Sequence, residues 1–572
     1  MKNINKIKLN IFDKIAFGIL IIFAIFIPFH AFLVTFLPHF FGNLGFGNFF
    51  GLGKFFLVWK EILFLVLSFL FFGKFLQNLF FNLKEDKKSK NNLIKKFFSH
   101  GKKENCIKKF FLGFKNFFYL SKKSFPIQQF FFFDKIFLAF FLIAVIPVFY
   151  RFFTGSFGEN FLLQSIFGFR VDFIYFLIFY LIRGFSFNLT QIKKFFYVFI
   201  FSGLTALIFG FSLYLSSFNR VPEKIITSKK NFIEISDENK KIIKQFYFHK
   251  SGENDDILRK KEGLNENEKI ILEKFFENPD LINFRNENFL NLMVDKFGYS
   301  PGVSNYEVQK ALPAFHIVEA KGTARLAATF SGPNQLGFFL MVFIGVILGF
   351  LKFLFKNNGG KIEKIFLISV LIFSLICLYF SFSRSAWLGI LLIFGLFAFF
   401  SFPQKYHLKI FFGGIFLLVL TIFYTYFFQQ DFFERTILRG GSTAMHFERS
   451  LEGIGQVVEK PLGYGLGFAG PVSMKFPENG VKIAENWFIQ MFQEFGILGG
   501  IFYLFLFFNF LVFLIRKFLS EKFDNFLIFG GFLGLCGVLL AGLFLHSFED
   551  IGVSILLFVI LSLGFQKKFG HT

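Results

Sequence analysis

Four short stretches gather side chains that could act on a phosphorylated substrate. In ARLAATFSGPNQLGFFL, residues 324–340, Arg325 precedes a Gly-Pro-Asn turn that contains Asn334 and opens an apolar run. In SRSAW, residues 383–387, Arg384 sits between two apolar runs. In GSTAMHFERSLEGIGQVVEKPLGYGLGFAGP, residues 441–471, Ser442 or Thr443 can cap a helix that carries His446 and Arg449 at i and i+3, on one face. Pro461 should end that helix, and Gly463, Gly465 and Gly467 should make a pliable turn after it. In AENWFIQMFQEFGILGG, residues 484–500, Asn486, Gln490 and Gln493 fall at i, i+4 and i+7. Such a stripe on a membrane helix points at protein or water rather than lipid. Guanidinium groups match phosphate oxygens in bidentate fashion and stay charged at any working pH. Arginines and a histidine close to headgroups therefore suit a lipid-linked phosphate.

Plainer readings stand beside these. Arg384 is either an interfacial anchor at a span end or a substrate contact. His446 and Arg449 also fit a solvated helix face. The Gly-x-Gly-x-Gly run is no nucleotide loop, since neither a strand nor a Lys-Ser/Thr pair accompanies it. Glu494 reads as a structural hydrogen-bonding residue.

The elements that must position these groups are membrane helices. Of 572 residues, 54% are hydrophobic, and the mean hydropathy is +0.57, which excludes a soluble globular protein of this size. The 110 phenylalanines read as AT-rich codon usage, so no Phe stripe is taken as a site. The three cysteines, Cys106, Cys377 and Cys536, have neither disulfide-framework nor zinc spacing. The basic N-terminus MKNINKIKLN precedes an apolar run without an A-x-A cleavage site, and is expected to remain as the first anchor.

Apolar runs predict about twelve spans, near 15–37, 55–73, 136–153, 171–187, 195–217, 335–355, 364–381, 385–402, 408–428, 487–515, 525–547 and 551–566. The formal net charge is +24, and its placement sets orientation. Residues 74–133 hold fourteen lysines against three acids, which makes that loop cytoplasmic and both termini cytoplasmic. Its Lys/Phe interleaving, as in IKKFFLGFKNFFYL, suits plain topology or anionic lipid rather than nucleic acid. Residues 218–333 carry eighteen Lys/Arg against seventeen Asp/Glu, as an external loop permits. Within it NEKIILEKFFEN and DLINFRNENFLNLMVDKF look like short amphipathic helices. The expected organisation is residues 1–217 with five spans and the basic loop 74–134, an external domain 218–333, spans six to nine in 334–428, a second external loop 429–486 and the last spans in 487–572.

The order RLAATFSGPNQLG, SRSAWLG, a helix ending PLGYGLG, and ENWFIQMFQEFGILGG resembles the O-antigen ligase and O-antigen polymerase family of polytopic glycosyltransferases. By motif the resemblance covers residues 320–515, and by span count the whole chain. It implies an all-α membrane bundle like the C-type glycosyltransferases, with large external loops, in the bacterial cytoplasmic membrane. It implies a glycan donor on undecaprenyl diphosphate, an acceptor hydroxyl on a glycan, lipid or protein at the outer face, and no metal or cofactor. Arginines would hold the diphosphate. Arg325 matches the family arginine before the Pro-Asn turn; Arg449 and Arg384 would join it on the diphosphate, with Asn334, Asn486 and Gln490 in support. The second family arginine falls fifteen residues before the proline, where this chain has His446, with Arg449 one turn later. The family's His-Asn pair corresponds to Glu485-Asn486. Glu485 or His446 would then accept the acceptor's proton, and partial burial would raise the Glu485 pKa to suit. Ligase and polymerase both fit. A lipid-linked-glycan transporter is the other class, but no internal repeat of the kind transporters show is visible.

Overall fold

The computed structural model describes residues 10–34, 52–85, 132–155, 160–217, 323–406, 440–474 and 483–566, with short strand segments and isolated positions between 224 and 481. Apolar runs fold as helices because the bilayer offers no water to satisfy backbone groups. The helices are α1 (Ile11–Phe26, continuing through a 3-10 turn), α2 (Leu52–Glu85), α3 (Phe132–Ala144), α4 (Ile146–Thr154), α5 (Phe161–Arg183) and α6 (Leu189–Ser217). They continue as α7 (Pro333–Lys356), α8 (Lys361–Ser381), α9 (Arg384–Ser401), α10 (Gly440–Glu459), α11 (Gly470–Ser473), α12 (Trp487–Ser520), α13 (Phe526–Ala541) and α14 (Ile551–Gly564). Eight described segments are long and apolar enough to cross a membrane, so the chain is an all-α, multi-pass membrane protein.

Short strands lie between α6 and α7. β1 (Lys224–Ile226) pairs antiparallel with β2 (Phe232–Glu234) and β3 (Ile282–Asn283), and β4 (Phe315–Val318) pairs with β5 (Thr323–Leu326). β3 lies inside DLINFRNENFLNLMVDKF, where a helix was expected; the rest of that stretch, and NEKIILEKFFEN, lie outside the described residues. So does nearly all of the expected span 408–428.

Several boundaries differ from expectation. α2 runs on to Glu85, so residues 74–85 are helix rather than loop. The fourth span starts at Phe161, ten residues earlier than the apolar pattern suggests, because Gln164 and Arg170 find protein partners. The third span breaks at Val145, just before Pro147, whose ring cannot donate to the ladder. α13 stops at Ala541, leaving 542–550 as a turn-rich link.

α7 is apolar all round and lies at the centre of the bundle. It meets α13 closely: a Cβ on Gly345 would fall 2.8 Å from the Gly530 carbonyl oxygen, and one on Gly530 2.7 Å from Val346 Cα. Small residues let membrane helices approach where no hydrophobic drive separates lipid from protein contact.

Polar contacts gather at the two ends of the bundle. At one end Lys74 Nζ lies 2.6 Å from Asp13, Phe187 N–H donates to Gln566, and Lys356 pairs with Asp524 at 2.7 Å. Arg183 donates to both oxygens of Asp134, at 2.7 and 3.2 Å, with side chains 4% and 3% exposed. Asp134→Ala would leave the guanidinium buried without its partner. The expected loss is about 3–5 kcal/mol, read as a lower thermal-unfolding midpoint in detergent, and Asp134→Ala/Arg183→Met should recover most of it. The other end carries the four stretches that open the sequence analysis.

Candidate active site

Arg325 lies on β5 opposite His316 and is buried, at 6% exposure. Its Nε donates to the Ser381 carbonyl (2.8 Å), and its Nη2 donates to Asn334 Oδ1 (2.9 Å). Ser383 Oγ donates to the same Asn334 oxygen at 2.9 Å. Asn334 stands in the first turn of α7, where Pro333 presets the helix. Arg325 thus fastens β5 to α7 and to the α8–α9 link. Its described bonds are those of a clasp.

Arg384 is the first residue of α9 and donates from Nη1 to Thr443 Oγ1 of α10 at 2.9 Å. Both earlier readings of Arg384 are incomplete: it also joins the link to α10. Because α10 begins at Gly440, Ser442 and Thr443 lie inside the helix and are not its caps. It ends at Glu459, two residues before Pro461.

On α10, His446 and Arg449 share a face and converge on Glu485. His446 Nδ1 lies 2.6 Å from Glu485 Oε2, and Arg449 Nη1 donates to Glu485 Oε1. Ser450 Oγ adds a bond to the Ala484 carbonyl at 3.1 Å. Glu485 is held at φ +52°, a left-handed conformation that costs a non-glycine residue about 1–3 kcal/mol. Burial pushes its carboxyl up, but the His446 hydrogen bond and charge, with the charges of Arg449 and His546, outweigh burial and leave it below the usual range. The expected rise from burial is therefore reversed, which makes Glu485 a weaker proton acceptor and a stronger anchor for Arg449.

The sign gives a pH test. A depressed carboxyl stabilises the α10 contact above the ordinary glutamate value of about 4.3, and the contact is lost as pH falls through the depressed value. Hydrogen exchange of α10 amides, corrected for intrinsic rates, should rise steeply only in that acidic window. Glu485→Gln should remove the step.

Asn486 is the N-cap of α12, where Oδ1 accepts from the N–H groups of Phe488 (3.0 Å) and Ile489 (3.1 Å). Its Nδ2 donates to the Leu543 carbonyl at 2.8 Å, which brings the 542–550 link against the site. Gln490 and Gln493 are buried and face protein. Gln493 Nε2 donates to Gln456, and Glu494 Oε1 accepts from the Ala469 N–H at 3.3 Å. The PLGYGLG turn is clamped rather than pliable. Tyr464 N–H donates to the Gln493 carbonyl (2.7 Å) and Gly465 N–H to that of Glu494 (2.9 Å). Arg151 donates to the Tyr464 carbonyl (2.8 Å) and Gln164 to that of Gly467 (2.8 Å).

One residue escaped the sequence reading. His546 lies in the 542–550 link, which apolar periodicity had merged into a span ending at 547. Its Nδ1 lies 2.7 Å from Gln490 Oε1, and Gln490 Nε2 donates to Glu549 Oε1 at 2.8 Å. The link borders a cavity of about 380 Å³, lined also by Lys60, Asn334, Gln335 and Asp550.

Residues 369–504 match the family model described as O-antigen ligase. Over that segment the chain is similar to the O-antigen ligase family. The match takes in Arg384, His446, Arg449, Glu485, Asn486 and Gln490; Arg325, Asn334 and His546 lie outside it. No curated protein matches the chain, and no solved structure does. That similarity suggests a membrane enzyme of glycosyltransferase type.

Proposed function

We propose that this protein moves or polymerises a glycan from undecaprenyl diphosphate onto an acceptor hydroxyl, at the outer face of the bacterial cytoplasmic membrane. The observation that carries the reading is the His446–Arg449–Glu485 cluster, which stands within the O-antigen ligase match. In the reaction the acceptor oxygen attacks the anomeric carbon and the bond to the diphosphate breaks. Positive charge develops on the sugar and negative charge on the departing diphosphate.

Arg449 is the group placed to meet that negative charge. Its side chain is 40% exposed and tethered by a single carboxylate, so its fork can turn to phosphate oxygens. Arg384, bonded to the same helix at Thr443, adds a second cation on that side. Glu485 positions Arg449 and His446. Arg325 holds the floor of the site through Asn334. No metal or cofactor enters this scheme. The lysine-rich loop next to the opposite end supports cytoplasmic termini and an outward-facing site.

The test is a gel of glycan products. The full-length protein in liposomes receives an undecaprenyl-diphosphate oligosaccharide of defined length, alone and with lipid and peptide acceptors. A ladder of longer chains indicates polymerase, and a shifted acceptor band indicates ligase. A donor that stays at its starting length in every mixture overturns the proposal.

A further inference from the structure

We propose that α10 is an interfacial helix: its apolar stripe sits among the acyl chains of the leaflet at this end of the bundle, while its acidic flank faces water. This placement does not depend on glycosyl transfer. The helix has three flanks. Toward the protein it turns polar groups, with His446 and Arg449 on Glu485 and Gln456 accepting from Gln493, and Gly453 lets it lie close to Ala484. Phe447, Leu451, Ile454 and Val458 form the second flank, at i, i+4, i+7 and i+11, and are between 50 and 73% exposed. Glu448, Glu452 and Glu459 form the third. In a soluble domain an amphipathic helix turns its apolar stripe inward. Here the polar flank is inside and the apolar one outside. Single exposed apolar residues are ordinary, but a continuous stripe calls for an apolar partner.

The stripe leads directly onto the lipid-facing side of a span. Pro461, just beyond α10, accepts from the Ile497 N–H of α12 at 2.9 Å, and Leu462 lies against Gly496. Leu462, Ile497 and Leu498 are all exposed, so one apolar surface runs from α10 onto α12. The depth agrees. Ser450 bonds the Ala484 carbonyl before α12 begins, and Gln456 meets Gln493 well inside it, so α10 descends beside α12 by about 10 Å. The chain then turns at 461–467 and returns to Ala484, so it enters and leaves at the same end of the bundle.

Irregular backbone close to hydrocarbon must find its partners within the protein. The turn does so: the Tyr464 and Gly465 N–H groups and the Tyr464 and Gly467 carbonyls are all bonded to α4, α5 or α12. The acidic flank keeps the helix from sinking further, as an interfacial helix requires. His446 and Arg449, toward the upper end of α10, then stand at headgroup depth, where the phosphates of lipids lie.

Spin labels test this in full-length protein whose Cys106, Cys377 and Cys536 are replaced by alanine, in vesicles of phosphatidylethanolamine and phosphatidylglycerol. Labels on Leu451→Cys, Ile454→Cys and Val458→Cys should relax readily with oxygen, which concentrates in hydrocarbon, and poorly with a water-soluble nickel chelate. Labels on Glu448→Cys and Glu459→Cys should show the reverse. Stripe labels as open to nickel as the acidic-flank labels would put the stripe in water and overturn the proposal. Stripe labels reached by neither reagent would mean that protein covers the stripe, a second copy or another part of this chain, and would overturn it equally. If the cysteine-free protein does not fold, Ile454→Trp in the otherwise unaltered chain should be quenched by bromine-labelled lipid several-fold more than Glu448→Trp; equal quenching would refute the immersion. Neither readout uses turnover, so a protein without transfer activity would sink the proposed function and leave this placement standing.

Discussion

Arg449→Ala is expected to lower glycan transfer by roughly 100- to 1,000-fold, the cost of removing one preorganised group aimed at developing negative charge. In the proposed reaction negative charge develops on the departing diphosphate, and Arg449 is the exposed fork of the cluster. The folded protein should survive the change, since a half-exposed ion pair contributes only about 0–1 kcal/mol. Arg449→Lys should recover little, because an ammonium cannot bridge two phosphate oxygens in one plane. The measurement is the initial rate of transfer in liposomes, alongside the yield of monodisperse protein. Arg325→Ala makes the contrast: it empties a buried clasp on Ser381 and Asn334 and should first reduce the yield of folded protein. A wild-type rate for Arg449→Ala would exclude it from the diphosphate site.

Gly496→Ala is the second large effect expected, and it acts through the backbone. Gly496 interrupts α12 at φ +72° and ψ −178°, a region open essentially to glycine alone. A Cβ there would also stand 2.4 Å from the Pro461 carbonyl oxygen and 2.5 Å from Leu462 C. Neither neighbour can yield, because Pro461 accepts from the Ile497 N–H at 2.9 Å. The glycine turn must therefore leave α12, and Tyr464 and Gly465 lose their carbonyl partners with it. Strain and lost bonds together reach about 3 kcal/mol or more. Extraction in detergent should give mostly aggregated protein and no transfer. Gly455→Ala, whose Cβ would meet nothing within 4 Å, should instead stabilise α10 by about 0.5–1 kcal/mol. Gly496→Ala protein that purifies and transfers normally would show that the kink is dispensable.

The membrane character was legible because twenty-residue apolar runs have one stable solution in lipid. Arg384, His446, Arg449 and Glu485 could be singled out by type and motif order, and the structure draws His446, Arg449 and Glu485 into contact. Their local chemistry was less legible. Glu485 was expected to rise in pKa through burial, yet His446 and Arg449 reach it from a helix upstream in sequence, and such opposition depends on distance alone. The pliable turn expected from Gly463, Gly465 and Gly467 is clamped by Arg151 and Gln164, more than 300 residues away in sequence. His546 was hidden because hydropathy averages over a window, and one histidine among leucines and phenylalanines does not end a span.

By itself the sequence determined a multi-pass helical membrane protein, the order of its motifs and the residue types available for phosphate and proton chemistry. These follow from local properties: apolar length, charge placement and side-chain class. Only the tertiary structure decided that Arg325 bonds Ser381 and Asn334, that His446 and Arg449 meet at Glu485, and that Gln490 joins His546 to Glu549. Those assignments depend on which hydrogen-bond partners long-range packing brings within 3 Å, and no local pattern specifies that.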